Sequence, residues 1–318
     1  MLNKSKKILL TAVKPTGALH IGNYFGAIKP FLEMVNNHQS YIFIADYHAL
    51  NFIQNSELMQ KNIINLILDY LAIGLDPKKV IFFQQSDISE HTELAWIFDT
   101  ITTMPYLMRA HAFKDAEAKN KEVNVGAFNY PILMAADILL YGTDLVPVGQ
   151  DQKQHVEIAR DTAQKFNKIF GETFKLPEPL ILKEVAVVPG TDGRKMSKSY
   201  NNTIPLFAEY AEIKKAVMSI VTDSEGGIPK NVFAIHKLLR PEEELAPIYE
   251  KKKNKYKELK EILIEDLENF IKPSREKRQE LEKDIPSILK ILNEGNKKAK
   301  IIASKKMKEV RAKIGIKI

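Results

Sequence analysis

The chain has 318 residues, 45% of them hydrophobic and 27% charged, and it contains no cysteine. Such a chain can bury the core of one large domain plus a smaller one, while the missing cysteine excludes disulfides, thiolate metal sites and cysteine nucleophiles, so any metal must be held through oxygen or histidine. The formal net charge of +7 is uneven: residues 250–318 hold 21 Lys and Arg against 12 Asp and Glu, which suits either a polyanionic partner or an ordinary solvated face of lysine-rich helices.

The first seven residues are basic and polar and lack a signal-peptide pattern, and no apolar run reaches membrane-spanning length, so a cytoplasmic location is expected. Ile8–Val13 predicts a first strand. Pro15–Gly17 then make a turn, and Gly22-Asn23 open a helix on which Phe25, Ile28, Leu32 and Val35 recur at helical spacing. The free N–H groups and dipole of that helix start favour a negative ligand, Gly22 lets a purine or phosphate approach the backbone, and His20 is a candidate donor to phosphate charge. A plain strand–turn–helix joint with a surface histidine is the alternative. Tyr41–Ala45 predicts a second strand, with Asp46 and His48 at its end either as site residues or as structural hydrogen-bonding groups. A helix carrying Leu58, Ile63, Ile64, Ile67, Leu68, Leu71 and Ile73 leads to a third strand at Val80–Gln84, and this alternation is the signature of a parallel α/β sheet.

Further helices are predicted at Glu90–Thr103, Pro131–Tyr141 and Asp151–Phe170, with a short strand at Asp144–Val148 between the last two. The lone Trp96 reads as a packing partner of Leu94 and Phe98, and His91 and His111 receive no role because their spacing does not suit zinc. The segment Pro131–Tyr141 is apolar with a single charge, Asp137, at its middle. A buried carboxylate must meet a cation or hydrogen-bond donors. Tyr130, Met134, Asp137 and Tyr141 share one stripe, so an aromatic ligand bearing an N–H could lie on Met134 and donate to Asp137; an ion pair with a distant lysine or arginine is the other reading. Asp151-Gln152-Lys153-Gln154 resembles a capping box, yet Gln152 and His155 share a face just past a strand end, the edge at which such sheets bind ligands.

Lys195-Met196-Ser197-Lys198-Ser199 follows Gly190, Asp192, Gly193 and Arg194 in a stretch with almost no apolar anchor. That predicts a mobile loop whose lysines meet a triphosphate as pyrophosphate departs, with an exposed basic loop as the alternative. From Leu206 onward the strand-like runs stop, and charged helices punctuated by Pro229, Pro241, Pro247, Pro273 and Pro286 predict a separate all-helical domain.

Six strings occur in order: Pro15-Thr16-Gly17 running into His20-Ile21-Gly22-Asn23-Tyr24, Asp46-Tyr47-His48-Ala49, the run Met134–Tyr141, the run Val146–His155, Lys195–Ser199, and Val221-Thr222-Asp223-Ser224. Together they make the chain resemble the class I aminoacyl-tRNA synthetases, most nearly the bacterial tryptophan-specific group, over essentially its whole length. The resemblance implies a Rossmann-like parallel-sheet catalytic domain over residues 1–205, a smaller helical anticodon-recognition domain over 206–294, and a terminal helix over 295–318 packing back on the catalytic domain. It further implies activation of L-tryptophan by ATP with Mg2+ to tryptophanyl-adenylate and pyrophosphate, and transfer to the terminal adenosine of tRNA(Trp). A homodimer, no membrane partner and no dedicated protein metal site are implied as well. By position, Lys14, Pro15, Thr16, Gly22, Asn23, Gly149, Gln150, Asp151, Val188 and Lys195–Ser199 correspond to the ATP site, with His20, Lys195 and Lys198 catalytic. Asp137 corresponds to the acceptor of the indole N–H, with Met134, Tyr130, Gln152 and His48 around the amino acid.

The sequence departs from the common pattern at Lys14, where glutamine is usual, at Ala12 for glycine, at Gln150 for glutamate and at Ala116 for a phosphate-binding lysine, for which Lys114, Lys119 or Lys121 are the substitutes. The rival readings are a tyrosine-specific synthetase, a small nucleotidyltransferase sharing the Gly/His turn, and a non-catalytic RNA-binding relative.

Overall fold

The computed structural model describes residues 6–110, 113–114, 122–181, 188–222 and 226–316, with the backbone alone at residue 151. His111, Ala116, Lys119, Lys121, Asp223 and Ser224 lie outside the described residues, as does the side chain of Asp151.

Five strands, β1 (Ile8–Val13), β2 (Gln39–Ile44), β3 (Val80–Gln84), β4 (Leu145–Val148) and β5 (Glu178–Ile181), form one sheet in the order β3-β2-β1-β4-β5. All pairs are parallel, with Leu9 opposite Ser40, Ser40 opposite Val80, and Leu145 opposite Glu178. Parallel strands are covered on both faces, so alternate side chains feed two cores. Leu9, Ile42, Ile44, Val80 and Phe82 join one apolar cluster, and Leu10, Tyr41, Phe43, Phe83 and Val146 join the other. The four predicted strands are present. β5 was not predicted, because a four-residue edge strand with proline at its second position carries no alternation.

The connections are helical. α1 (Ile21–Asn23) continues through a π turn (Tyr24–Ile28) into α2 (Lys29–Met34). α3 (Asp46–Ala49) and α4 (Ser56–Ala72) link β2 to β3, and α5 (Glu90–Asp99), α6 (Met104–Leu107) and α7 (Val125–Leu140) precede β4. α7 starts well before Pro131, which sits inside it; the start is set by Asn124, whose side chain accepts from the Ala127 N–H at 2.7 Å. α8 (Lys153–Phe170) follows a 3₁₀ turn at Gln150–Gln152, so Gln152 rather than Asp151 occupies the cap, and it makes no side-chain cap bond.

After α8 and β5 come α9 (Tyr210–Met218), α10 (Lys230–His236), α11 (Glu242–Lys251), α12 (Tyr256–Leu281) and α13 (Ile285–Lys313). Pro229, Pro241 and Pro286 mark helix starts, whereas Pro247 and Pro273 lie within α11 and α12. Leu259, Leu263, Leu267 and Ile271 of α12 join the first core cluster, and Arg278 ties the helix to α4 through Asp69 at 2.6 Å and Asn65 at 2.8 Å. α13 runs unbroken past residue 294 and seals the β3 edge: a Cβ on Gly295 would lie 1.7 Å from the Phe82 carbonyl oxygen, and the Asn296 side chain accepts from the Gln84 N–H at 2.9 Å. Beyond that edge Ala299, Ala303, Met307 and Val310 enter the second cluster, and Lys300 and Ser304 both donate to Glu90 at 2.6 Å.

Candidate active site

The chain runs from β1 outward through β2 to β3, then returns to place β4 on the other side of β1. Strand order reverses between β1 and β4, and the C-terminal edge of that gap is where open parallel sheets bind ligands. Two motifs nearly two hundred residues apart meet there.

The turn after β1 is closed by the Thr16 N–H donating to the Lys14 carbonyl at 2.8 Å, and Gly17 holds φ +102°, a region a side chain disfavours. His20 pairs with Pro205 in an isolated antiparallel bridge, flanked by bonds from the Ile21 N–H to Ile204 O and from the Leu206 N–H to Leu19 O, both at 3.0 Å. His20 is 6% exposed, and its Nδ1 finds no protein partner among the described residues. Burial, reinforced by the Lys198 charge, pushes its imidazolium down to about 4, so the ring is neutral near pH 7 and offers an N–H rather than a charge. A Cβ on Gly22 would lie 2.9 Å from that ring and 3.2 Å from Met196 Cβ, so in this conformation the space left by Gly22 is used by the protein itself.

Lys198 donates through Nζ to the Thr16 carbonyl at 3.2 Å, which brings the second motif onto the first. The loop is less free than its composition suggested. Met196 and Val188 are buried in the core beneath the site, and the Met196 N–H donates to Val188 O at 2.8 Å. Asn202, 1% exposed, accepts from the Ser197 N–H at 2.7 Å and donates to Asp192 at 2.7 Å and Lys195 O at 3.1 Å. The expectation of a loop almost without apolar anchor is thereby corrected: a methionine between two lysines is an anchor when the lysines point outward. Lys195 and Ser199 are exposed, as are Gly149, Gln150 and Gln152 beyond β4. Lys14 lies with Nζ 4.9 Å from the centroid of the Phe52 ring.

The second half of the site centres on Asp137 of α7, 2% exposed. Its Oδ1 accepts from Gln85 Nε2 at 2.8 Å and His91 Nδ1 at 2.6 Å, and its Oδ2 accepts from His48 Nε2 at 2.8 Å. Burial alone would raise this carboxyl, but the hydrogen bonds and charge of His48 and His91 outweigh it and hold the group down at about 2. No lysine or arginine bonds to it among the described residues, so the ion-pair reading is excluded there. With Nδ1–H facing Asp137, His91 can accept at Nε2 from the Tyr141 hydroxyl at 2.8 Å, so both ring nitrogens have partners. A carboxylate has about four acceptor positions. Among the described residues these three donors leave one, on Oδ2, the atom shared with His48.

Tyr130 and Met134 precede Asp137 on the same α7 stripe and are half-buried; the Tyr130 hydroxyl bonds His155 Nε2 at 3.0 Å, and its ring meets His48 edge-on at 6.3 Å. Tyr141, the fourth member of the stripe, is in the core. Asp46 proves structural, accepting from Gln84 at 2.7 Å and from the Ser86 hydroxyl at 2.5 Å, which locks the ends of β2 and β3 together. Gln85 and His91 were missed. His91 was weighed only as a zinc ligand, whereas the available signal was the polar cluster Gln84–Asp87 at the C-terminal end of a parallel strand. Trp96 is also corrected: it is 70% exposed and packs in no core.

A family model described as tRNA synthetases class I (W and Y) matches residues 2–290. The tryptophan–tRNA ligase of Fusobacterium nucleatum is 47% identical over 316 residues, covering 96% of this chain and 97% of that protein. The crystal structure of the tryptophanyl-tRNA synthetase of Campylobacter jejuni complexed with ADP and tryptophan matches with a TM-score of 0.91 at 46% identity, covering 97% of this chain and 99% of that one.

Proposed function

The chain belongs to the tRNA synthetases class I (W and Y), and we propose that it uses ATP to activate L-tryptophan as tryptophanyl-adenylate and then charges the 3′ adenosine of its tRNA. The observation that carries the amino-acid assignment is the single acceptor position remaining on Asp137 Oδ2, on a carboxylate kept ionised by His48 and His91. An indole N–H only donates, so one acceptor satisfies it, whereas a phenol hydroxyl needs a donor as well as an acceptor. Met134 and Tyr130 lie along the indole, with Gln152 at the rim.

ATP enters as substrate, with magnesium carried on its phosphates. A carboxylate oxygen of tryptophan attacks the α-phosphorus; the new acyl-phosphate bond forms as the bond to the leaving pyrophosphate breaks. Charge grows on that pyrophosphate, where Lys195, Lys198 and the neutral N–H of His20 provide the most stabilisation. Lys14, Pro15, Thr16, Gly22, Asn23 and Val188 on one side, Gly149, Gln150 and Asp151 on the other, and Met196, Ser197 and Ser199 beneath cradle the nucleotide. No protein nucleophile is needed, because orientation and fixed charge supply the rate. In the second step the adenosine hydroxyl attacks the acyl carbon and AMP leaves.

Helices in residues 206–294 take the anticodon, and the terminal helix, which carries the basic excess of the C-terminal part, is the brace on the catalytic domain. The exposed apolar Trp96, Met104 and Met108 of the α5–α6 region support a homodimer. The assembly works in the cytoplasm. ATP–pyrophosphate exchange measured with each of the twenty amino acids tests the reading: tryptophan alone supports exchange, and support by tyrosine to a similar rate overturns it.

A further inference from the structure

Phe52 is 69% exposed, and Leu50 beside it is 50% exposed. Both lie in the turn after α3, held by bonds from the Phe52 and Ile53 N–H groups to Ala49 O at 2.9 Å. This turn begins two residues after His48, the Asp137 partner, while the Lys14 ammonium that follows β1 rests 4.9 Å from the Phe52 centroid. Since β1 and β2 are parallel neighbours, Phe52 stands on the same sheet edge as both halves of the site. Asn51 meets the start of α7, where a Cβ on Gly126 would lie 2.7 Å from Asn51 Oδ1, and Val125 there is 80% exposed. A firmly seated turn therefore presents an aromatic ring to solvent with a cation on one face.

An aromatic ring paired with an ammonium is the device by which proteins hold unpaired nucleotides: the base stacks on the ring and the cation meets the phosphate. Resting on the proposed reaction, we infer that Phe52, with Lys14 against it, is a stacking platform for the unpaired 3′ end of the tRNA as it enters between the adenylate and solvent. The chemistry requires such an entry. A flexible, polyanionic strand must deliver one ribose hydroxyl to an acyl carbon lying between the Asp137 pocket and the nucleotide, and a ring at the mouth restricts its approach without reading sequence.

The test separates this platform from the synthetase reading, because exchange needs no tRNA. Phe52→Ala is expected to raise the tRNA KM in aminoacylation by between about 5-fold and 100-fold, the range for losing one base–aromatic stack, with tryptophan and ATP KM in exchange within about twofold of the parent. Phe52→Trp is expected to restore the tRNA KM, and its added fluorescence, relative to the parent, to be quenched by intact tRNA but not by tRNA trimmed of its last three nucleotides. An unchanged tRNA KM in Phe52→Ala, or equal quenching by trimmed tRNA, overturns the platform. So does an ATP KM raised as much as the tRNA KM, which would assign the ring to ATP. Absence of exchange in the parent protein would instead sink the synthetase reading.

Discussion

Replacing His91 by leucine isolates the support of Asp137 from the contact it is proposed to make with substrate. His91 is fully buried, donates to Asp137 at 2.6 Å and accepts from Tyr141 at 2.8 Å. The leucine fills most of the volume but removes a hydrogen bond to a charged group, a loss of about 1.5–3 kcal/mol, and strands the Tyr141 hydroxyl at a further ~1 kcal/mol or more. Unfolding should shift by about 3–4 kcal/mol, which for a chain of this size lowers Tm by roughly 4–6 °C. The weakened carboxylate should cost about 10-fold to 100-fold in kcat/KM for tryptophan in exchange, while the ATP KM stays put because His20 and Lys198 are on other elements. His91→Asn, whose amide can donate from nearly the Nδ1 position, should recover most of the tryptophan effect without fully recovering Tm. Pyrophosphate exchange and thermal melts read both quantities. A folded His91→Leu protein with parental tryptophan kcat/KM would refute the reasoning.

Lys195→Ala and Lys198→Ala should each lower the exchange rate by about 10²-fold to 10³-fold, with tryptophan binding by equilibrium dialysis unchanged, since fixed charge matters most where charge develops. His20 has a folded-state value of about 4 against 6.5 in the unfolded chain. Its contribution is therefore fully present above the unfolded value and is lost as pH falls toward the folded one. Moving from about pH 7 to about pH 5 should cost the parent about 2 kcal/mol more than His20→Gln in urea titrations, and parallel losses would contradict the buried neutral ring. Gly295→Val should destabilise by about 3 kcal/mol or more, because the side chain collides with the β3 backbone; an unchanged melting curve would mean that α13 does not seal that edge.

The sheet was legible because β1 to β4 carry β-branched or aromatic runs separated by helical spacing, a pattern that propensity and burial both enforce. β5 was silent: its proline and short length leave nothing for periodicity to detect. α7 was misplaced at its start because Pro131 reads as a first-turn residue, whereas the chain caps at Asn124 and tolerates the proline within the helix. Within the site, His20 and Lys198 were readable as local chemistry. Gln85 and His91 were not, since their roles exist only through contacts to Asp137 across 52 and 46 residues. Asn202 escaped notice for a similar reason, as its work is to satisfy loop backbone rather than to touch a ligand. Trp96 shows the converse limit: helical spacing with Leu94 and Phe98 suggested packing, but the residue falls on the outward face of α5.

The most direct test of the central claim compares tryptophan with its benzothiophene analogue, in which sulfur replaces the indole N–H and the bicyclic shape is kept. If Asp137 Oδ2 reads that hydrogen, kcat/KM for exchange with the analogue should fall by about 10³-fold or more in the parent protein, as for a site built around a substrate hydrogen bond. Equal activation of the two amino acids would contradict the account.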